Sequence, residues 1–472
     1  MRQMRSFPLV VAGLGLSLCL LLGLLPSCSS SAKETAEQAP SNFEPGTFPV
    51  GITSFTFVDE SRPTPANASQ PGLPSRTLQV RVWYPALAPN TESIQDDDFA
   101  SIPDPTPLFD APPATGSGPF PLIVFGHGLG AAPAEYGDLL ATWAGAGYVV
   151  AAPAFPLNSE NSPGLADPGD VVNQSGDVSA VITHAISLSS SADGRALAGM
   201  IDGERVGVAG HSNGGITIAG LIGQACCVDE RVDAAIIIAG TSQLLPGKTF
   251  DWSRTPPLLI VHGENDTVIP YDEGARIFNS ARSPKGLFTL IDSDHNSYLF
   301  SDSRAFPITA KATLDFFNGY VKSDAAAIAA LADDQEPGVA SMTFVGDPSQ
   351  SATVERTLPK MPSRAATVTP LTGLRDGQMV RVEWSGFLPD HVVTVAQCSD
   401  GAREGSASCD LVTGKVLRYD PDGWGSLELE IVVGKVGNGV CDADHTDCLV
   451  IVNDAALLDE DANFRFPLTF AR

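Results

Sequence analysis

The chain has 472 residues and 43% apolar side chains, so it is long enough for more than one domain and apolar enough to bury large cores. Acidic residues number 55 against 28 basic, a formal net charge of −27. That balance argues against nucleic-acid binding, which needs basic patches; it favours solubility and discourages adsorption to anionic surfaces.

In chain order, the N-terminus reads first as an export signal. A basic leader, "MRQMR", precedes the apolar run "FPLVVAGLGLSLCLLLGLL" and then "LPSCSS". Leu25-Pro26-Ser27-Cys28 resembles a bacterial lipobox, which makes residues 1–27 a lipoprotein-type signal peptide and Cys28 the lipidation site. The competing reading is an uncleaved anchor helix. Either reading places the body outside the cytoplasm, with membrane contact only through the N-terminal anchor. Residues 28–45, rich in Ser, Ala and Glu, read as a flexible tether.

Residues 46–322 alternate strand and helix patterns. "LQVRVWYP" (78–85) reads as a half-exposed strand, and "PLIVFGHG" (121–128) is a continuous apolar run, as in a strand buried on both faces. "YGDLLATWAGAGY" is helical, "VVAAPAF" a strand and "QSGDVSAVITHAISLSS" a helix. "RVGVAG" (205–210) is a strand, followed by the small-residue helix "GGITIAGLIGQACC". "AAIIIAG", "PLLIVHG" and "LFTLID" are further strands, and "SRAFPITAKATLDFFNGYV" holds the last helix. This alternation predicts a doubly wound, mostly parallel sheet with helices on both faces. The Pro-rich, acidic stretch 91–119 reads as a long surface loop near the rim of the site.

Residues 323–364 break the alternation and read as a linker, with "DAAAIAALADDQEPG" closing the helical part. Residues 365–472 read as all-β: "MVRVEW", "VVTVAQC", "GSLELEIVV", "CLVIV" and "FPLTF" are short strands between Gly, Asp and Pro turns. Eight cysteines are present. Beyond Cys19 and Cys28, an even set of six remains: Cys226, Cys227, Cys398, Cys409, Cys441 and Cys448. In an exported chain that predicts disulfides. Cys226 and Cys227 are adjacent, and the alternatives are a vicinal disulfide or reduced thiols; the oxidising compartment favours the disulfide.

The chemistry sits in "GHSNG" (210–214), which fits G-x-S-x-G. A Ser projecting from a tight strand-to-helix turn needs glycines two residues away on each side, because a Cβ there would strike the neighbouring strand or helix. Gly210 and Gly214 fill those places and Ser212 is the candidate nucleophile. The bare pattern also occurs in ordinary glycine-rich turns; the buried strand before it and the small-residue helix after it separate the two. A Ser hydroxyl needs a base, and the base an orienting acid. In this topology they follow in the order acid, then His. Asp266 in "VHGENDTVIP" lies just past a buried strand, with Glu264 its competitor. His295 in "DHNSY" follows the next strand, and Asp292 and Asp294 are weaker rivals for the acid. The oxyanion donors are expected to be the backbone N–H of Asn213 and, from "HGLG" (127–130), that of Leu129. His127 reads as orienting its loop, His211 and His262 as supporting residues at strand ends, and His184 as a helix-face residue. "CDADHTDC", with Asp442, Asp444, His445 and Asp447, lacks a dedicated ligand spacing and reads as a pinned acidic loop, and "DPDGWG" (420–425) as a turn, so no metal site is assigned.

With these residues in place, residues 46–322 resemble the α/β-hydrolases. The likeness is greatest to the dienelactone-hydrolase-like group that includes bacterial cutinases and polyester hydrolases, chlorophyllases and platelet-activating-factor acetylhydrolases. The resemblance implies Ser212 as nucleophile, His295 as base, Asp266 as acid, and Leu129 with Asn213 as oxyanion donors. True dienelactone hydrolases carry Cys where this chain has Ser212, and bacterial cutinases usually carry Met where it has Asn213. The C-terminal segments "VTPLTGLRDGQMVRVEWSGF", "VAQC…C" and "GVCDADHTDCLVIVNDA" resemble the neocarzinostatin-type apoproteins, which are immunoglobulin-like sandwiches. There the spacings suggest the pairs Cys398–Cys409 and Cys441–Cys448.

The expected function is an exported serine hydrolase that cleaves carboxylic esters (of a small molecule, lipid or polyester) through an acyl-enzyme, with no cofactor. Two other classes stand beside it. One is a non-catalytic surface-binding lipoprotein that works through its β-sandwich. The other is a serine peptidase of the same fold.

Overall fold

The structure is a computed structural model. It describes residues 48–67, 70–87, 109–164, 166–191, 194–242, 250–347, 349–350, 352–354, 364–387, 391–399, 408–410, 415–420, 424–445, 447–454 and 463–472. The signal peptide, the tether, Cys28, most of the loop at 91–119 and residues 421–423 of the 420–425 turn lie outside those residues.

The first region contains, in order, β1 (Val50–Asp59), β2 (Arg76–Pro85), β3 (Phe120–Gly126), α1 (Gly137–Gly145), β4 (Val149–Ala154), α2 (Val171–Ser189), β5 (Ile201–His211), α3 (Asn213–Gly223), β6 (Val232–Ile238), β7 (Leu258–Gly263), α4 (Tyr271–Ser280), β8 (Lys285–Leu290), α5 (Phe306–Tyr320), α6 (Ala325–Ala330) and β9 (Ala340–Val345). Its strands form one sheet in the order β1-β2-β4-β3-β5-β6-β7-β8-β9. β4, β3, β5, β6, β7 and β8 run parallel to one another. The β1–β2, β2–β4 and β8–β9 pairs are antiparallel.

Every residue of β3 and β7 is buried, which is why those strands read as unbroken apolar runs. Alternate side chains feed two cores. Leu122 and Val124 of β3 pack with Val178 and Ile182 of α2, Ile218 of α3 and Phe278 of α4. Ile123 and Phe125 pack on the other face with Leu140 and Trp143 of α1 and Phe316 and Phe317 of α5. This is the doubly wound arrangement expected from the alternation of patterns.

Two features depart from the sequence reading. The 323–364 segment is not a plain linker: β9 pairs with β8 from Ala340 to Val345, and the Val354 backbone exchanges hydrogen bonds with the Asn279 side chain of α4 at 2.8 and 3.0 Å. The short run "ASMTFV" follows a Pro-Gly turn and buries only its ends, so it carries little apolar signal. The described end of the 91–119 loop runs along the antiparallel side of the sheet, where Phe109 bridges Ile52 and Pro113 bridges Ala86.

The C-terminal region contains β10 (Ala365–Thr369), β11 (Met379–Ser385), β12 (His391–Cys398), β13 (Lys415–Asp420), β14 (Gly425–Glu430), β15 (Gly434–Val436), β16 (Gly439–Cys441), β17 (Leu449–Asp454) and β18 (Asn463–Pro467). They form antiparallel sheets β10-β11-β14 and β13-β12-β17-β18, with the ribbon β15-β16. Val380 and Val382 from the first sheet and Val393, Val395, Val450 and Val452 from the second share one buried core. Disulfides join Cys398 to Cys409 and Cys441 to Cys448, and Cys226 to Cys227 in the first region. Among the described residues no helix is long and apolar enough to cross a membrane.

Candidate functional site

Because β3, β5, β7 and β8 run parallel, the chain leaving their C-terminal ends emerges on one rim of the sheet. β3 delivers residues 127–130 there, β5 delivers Ser212, β7 delivers Asp266 and β8 delivers His295.

Ser212 is the single residue between β5 and α3, at φ 54° and ψ −116°. A non-glycine residue held there costs on the order of 1–3 kcal/mol, so the surroundings must impose it. Its N–H donates to Ile238 O of β6 at 2.9 Å, and its carbonyl accepts from Ile216 N at 3.0 Å. A Cβ on Gly210 would overlap the Gly214 carbonyl, and one on Gly214 would overlap the Gly126 carbonyl. The two glycines thus allow β3, β5 and α3 to close on each other beneath the Ser.

Asp266 follows β7 by three residues and its side chain is fully buried. Oδ1 accepts the N–H groups of Val268 and Ile269 at 2.8 and 2.9 Å. Oδ2 accepts from Nδ1 of His295 at 2.7 Å. His262 Nε2 lies 3.3 Å from the same oxygen and 2.8 Å from Ile269 O. Burial alone would raise the Asp266 carboxyl. The hydrogen bonds and charges of His262 and His295 outweigh that and hold it below the usual carboxylate range.

A carboxylate only accepts, so the proton between His295 and Asp266 belongs to Nδ1, and Nε2 of His295 is left with a lone pair. Asp294 does not reach the ring in this way. Its Oδ1 accepts from Asn296 N and Ser297 N at 3.2 and 2.8 Å and shapes the turn that carries His295. Glu264 is held at the strand end by its backbone, N–H to Leu290 O at 2.8 Å. The structure therefore brings Asp266, rather than Glu264, Asp292 or Asp294, onto the imidazole.

The loop after β3 lies against the elbow. A Cβ on Gly128 would sit 3.4 Å from Ser212 Cβ. His127 is fully buried and donates from Nδ1 to Gly128 O at 2.7 Å, while its Nε2 accepts from Phe155 N at 3.1 Å. Burial pushes His127 down to about 4, so the imidazole is neutral. Gly128 O also accepts from Ala131 N at 3.2 Å. The peptide plane makes the N–H of Leu129 point opposite to that doubly held carbonyl. Among the described residues, no group accepts from the Leu129 N–H. Asn213 opens α3, where backbone N–H groups lack partners within the helix.

His184 stacks on Phe57 at 4.4 Å, away from this rim on α2 and β1. Sequence reasoning missed Tyr136, whose hydroxyl lies 2.9 Å from His211 Nδ1; nothing local in "AAPAEY" marks it. It assigned His262 only a supporting place, and the contact with Asp266 is what that place consists of. Asp442 accepts from His445 Nδ1 at 2.7 Å in the loop closed by Cys441 and Cys448. Among the described residues no group of three or more His, Cys, Asp or Glu is placed to hold a metal ion.

Comparison with known proteins adds the following. Residues 86–239 match the chlorophyllase family, and residues 366–468 match the neocarzinostatin family. The uncharacterized protein YfhR of Escherichia coli O157:H7 is 29% identical over 115 residues, which is 20% of this chain and 39% of that protein. YfhR of Escherichia coli strain K12 is 28% identical over the same length. The chain thus spans 39% of the length of these curated relatives. A ferulic acid esterase from Streptomyces cinnamoneus superposes with a TM-score of 0.44 at 21% identity, over 59% of this chain and 91% of that one. The protein combines the fold of an α/β-hydrolase with a C-terminal, immunoglobulin-like domain of the neocarzinostatin type.

Proposed function

We propose that the chain is an exported ester hydrolase that works through an acyl-enzyme on Ser212. The observation that carries this reading is the 2.7 Å bond from His295 Nδ1 to the buried Asp266 carboxylate, on the rim where the Ser212 elbow stands. It leaves Nε2 of His295 as the base.

His295 Nε2 takes the Ser212 proton as Oγ attacks the ester carbonyl carbon. The carbonyl π electrons move onto oxygen, and the oxyanion is held by the N–H groups of Leu129 and Asn213. Collapse expels the alcohol, which takes its proton from His295. Water then enters, gives a proton to His295, attacks the acyl carbon and releases the acid as Ser212 regains its proton. The fixed Asp266 charge stabilises the imidazolium formed in both halves. No cofactor enters this scheme.

Leu129, Val268 and Phe300, on the loops after β3, β7 and β8, are 48%, 42% and 36% exposed. An apolar rim of this kind favours esters with an apolar acyl or alcohol part. The three disulfides agree with an oxidising compartment.

The test is p-nitrophenyl ester turnover by the mature chain and by Ser212→Ala. The reading expects turnover in the first and its loss, with an unchanged circular dichroism spectrum, in the second. Equal turnover in both would refute it.

A further inference from the structure

One polar chain joins the two loops that flank Ser212. Gly128 N donates to Tyr136 Oη at 3.1 Å, Tyr136 Oη lies 2.9 Å from His211 Nδ1, and His211 Nε2 lies 3.0 Å from His295 O. The protons can be assigned without choice. A carbonyl oxygen only accepts, so His211 Nε2 carries the hydrogen given to His295 O. Nδ1 of the neutral ring then accepts, and Tyr136 donates to it. The Tyr136 oxygen in turn accepts the Gly128 N–H. Every hydrogen bond points from the β3 loop toward the β8 loop.

We propose that Tyr136 and His211 form a tie that holds the base-bearing loop and the oxyanion-side loop in register, and are therefore positioning residues for the ester hydrolysis proposed above, on which this inference rests. Neither is assigned contact with substrate.

Three observations support the tie. Tyr136 and His211 are 5% and 4% exposed, so water does not compete for their bonds. Burial raises the Tyr136 phenol; burial, with the His295 charge next, lowers His211 to about 3, so neither ring changes protonation near neutral pH. Packing at the junction is tight. A Cβ on Gly128 would stand 3.1 Å from Tyr136 Oη and 3.4 Å from both His211 Nδ1 and Ser212 Cβ. The rings of His211 and His295 are 4.8 Å apart. His211 also directly precedes the nucleophile, so a shift of its ring is felt by the elbow itself.

The physical consequence concerns both reacting groups at once. The Gly128 N–H bond fixes the peptide before Gly128, and the His127 bond fixes the one after it. Together they aim the Leu129 N–H. At the other end, the bond to His295 O fixes the main chain from which the base projects. A misplacement of about 1 Å in such groups costs on the order of 100-fold in rate.

The experiment compares Tyr136→Phe, His211→Gln and His211→Leu with the wild-type chain. Amide hydrogen exchange is followed over residues 126–131 and 291–299, and kcat and KM are measured on a p-nitrophenyl ester well below the melting temperature. The tie predicts faster exchange in both segments for Tyr136→Phe, with kcat down roughly 10- to 100-fold and KM within about twofold. It also predicts that His211→Gln, whose amide can give a hydrogen to His295 O and accept one from Tyr136, keeps more kcat than His211→Leu. Loosening confined to residues 126–131, or a lower melting temperature with wild-type kcat and exchange, overturns the tie and leaves packing as the only role. If both segments loosen but the wild-type chain turns over no ester, the tie stands and the ester-hydrolase reading fails.

Discussion

His295 and Asp266 meet at 2.7 Å although 29 residues separate them, because β7 and β8 are adjacent parallel strands whose ends open on the same rim. The bond fixes which imidazole nitrogen holds the proton. Asp266→Asn keeps the shape but replaces an obligate acceptor with a group that can donate, and the imidazole is then free to take the other tautomer. Ester kcat should fall on the order of 10³- to 10⁴-fold in steady-state assays, with folding retained. The sign of the pH effect follows from the depressed carboxyl. Its stabilising contribution is complete above the ordinary value of 3.8 and is lost only as pH falls through the lower folded value. Denaturant unfolding should therefore show a wild-type advantage over Asp266→Asn that shrinks as pH falls below about 4.

Gly214 allows the contact between α3 and β3. Gly214→Ala places a methyl on the Gly126 carbonyl and 2.8 Å from His127 O, and main chain cannot move aside as a flexible side chain does. The expected loss is about 3 kcal/mol or more, read as a lower midpoint in urea or a failure to fold. Gly116→Ala is the control: a methyl group there would meet nothing within 4 Å, and stability should stay within about 0.5 kcal/mol.

His127 holds the carbonyl whose peptide carries the Leu129 N–H. His127→Phe keeps a ring against Phe155, whose centroid is 4.8 Å away, but removes the donor to Gly128 O and the acceptor for Phe155 N. In the same ester assay kcat should drop about 10- to 100-fold while KM changes little. The orphaned Phe155 N–H should cost about 1–3 kcal/mol in denaturant unfolding.

Arg76 is buried between Asp170, at 2.9 Å, and Asp177, at 2.6 Å. Asp177 also meets Arg62 at 2.8 Å. Burial raises the Asp177 carboxyl despite the two guanidiniums, so the cluster is costly to assemble and costly to break. Asp177→Ala leaves Arg76 with one carboxylate in a buried site. A loss of about 3 kcal/mol in urea unfolding is expected.

The buried parallel strands were legible because each is apolar along its whole length. β3, β5, β6, β7 and β8 each answer to a run seen in the sequence. The strands at the two sheet edges were not. β1 mixes Ser and Thr with Phe and lies half exposed, and β9 is six residues long with a buried residue only at each end. Edge strands are held by one neighbour, so their sequences carry less pattern. The same limit applies in the site. Gly210, Ser212 and Gly214 share a five-residue motif, and Asp266 and His295 each follow a readable strand. Tyr136 lies 75 residues from His211, and His262 shares the Asp266 oxygen only because of how the next loop folds. Contacts made by packing alone leave no spacing to read.

The account rests on a nucleophile at position 212, and its most direct test is to treat the intact mature chain with a fluorophosphonate and locate the adduct by peptide mass spectrometry. The account predicts one stoichiometric adduct on Ser212, abolished in Ser212→Ala and slowed in Asp266→Asn. Absence of labelling, or an adduct on another residue that persists in Ser212→Ala, would contradict it.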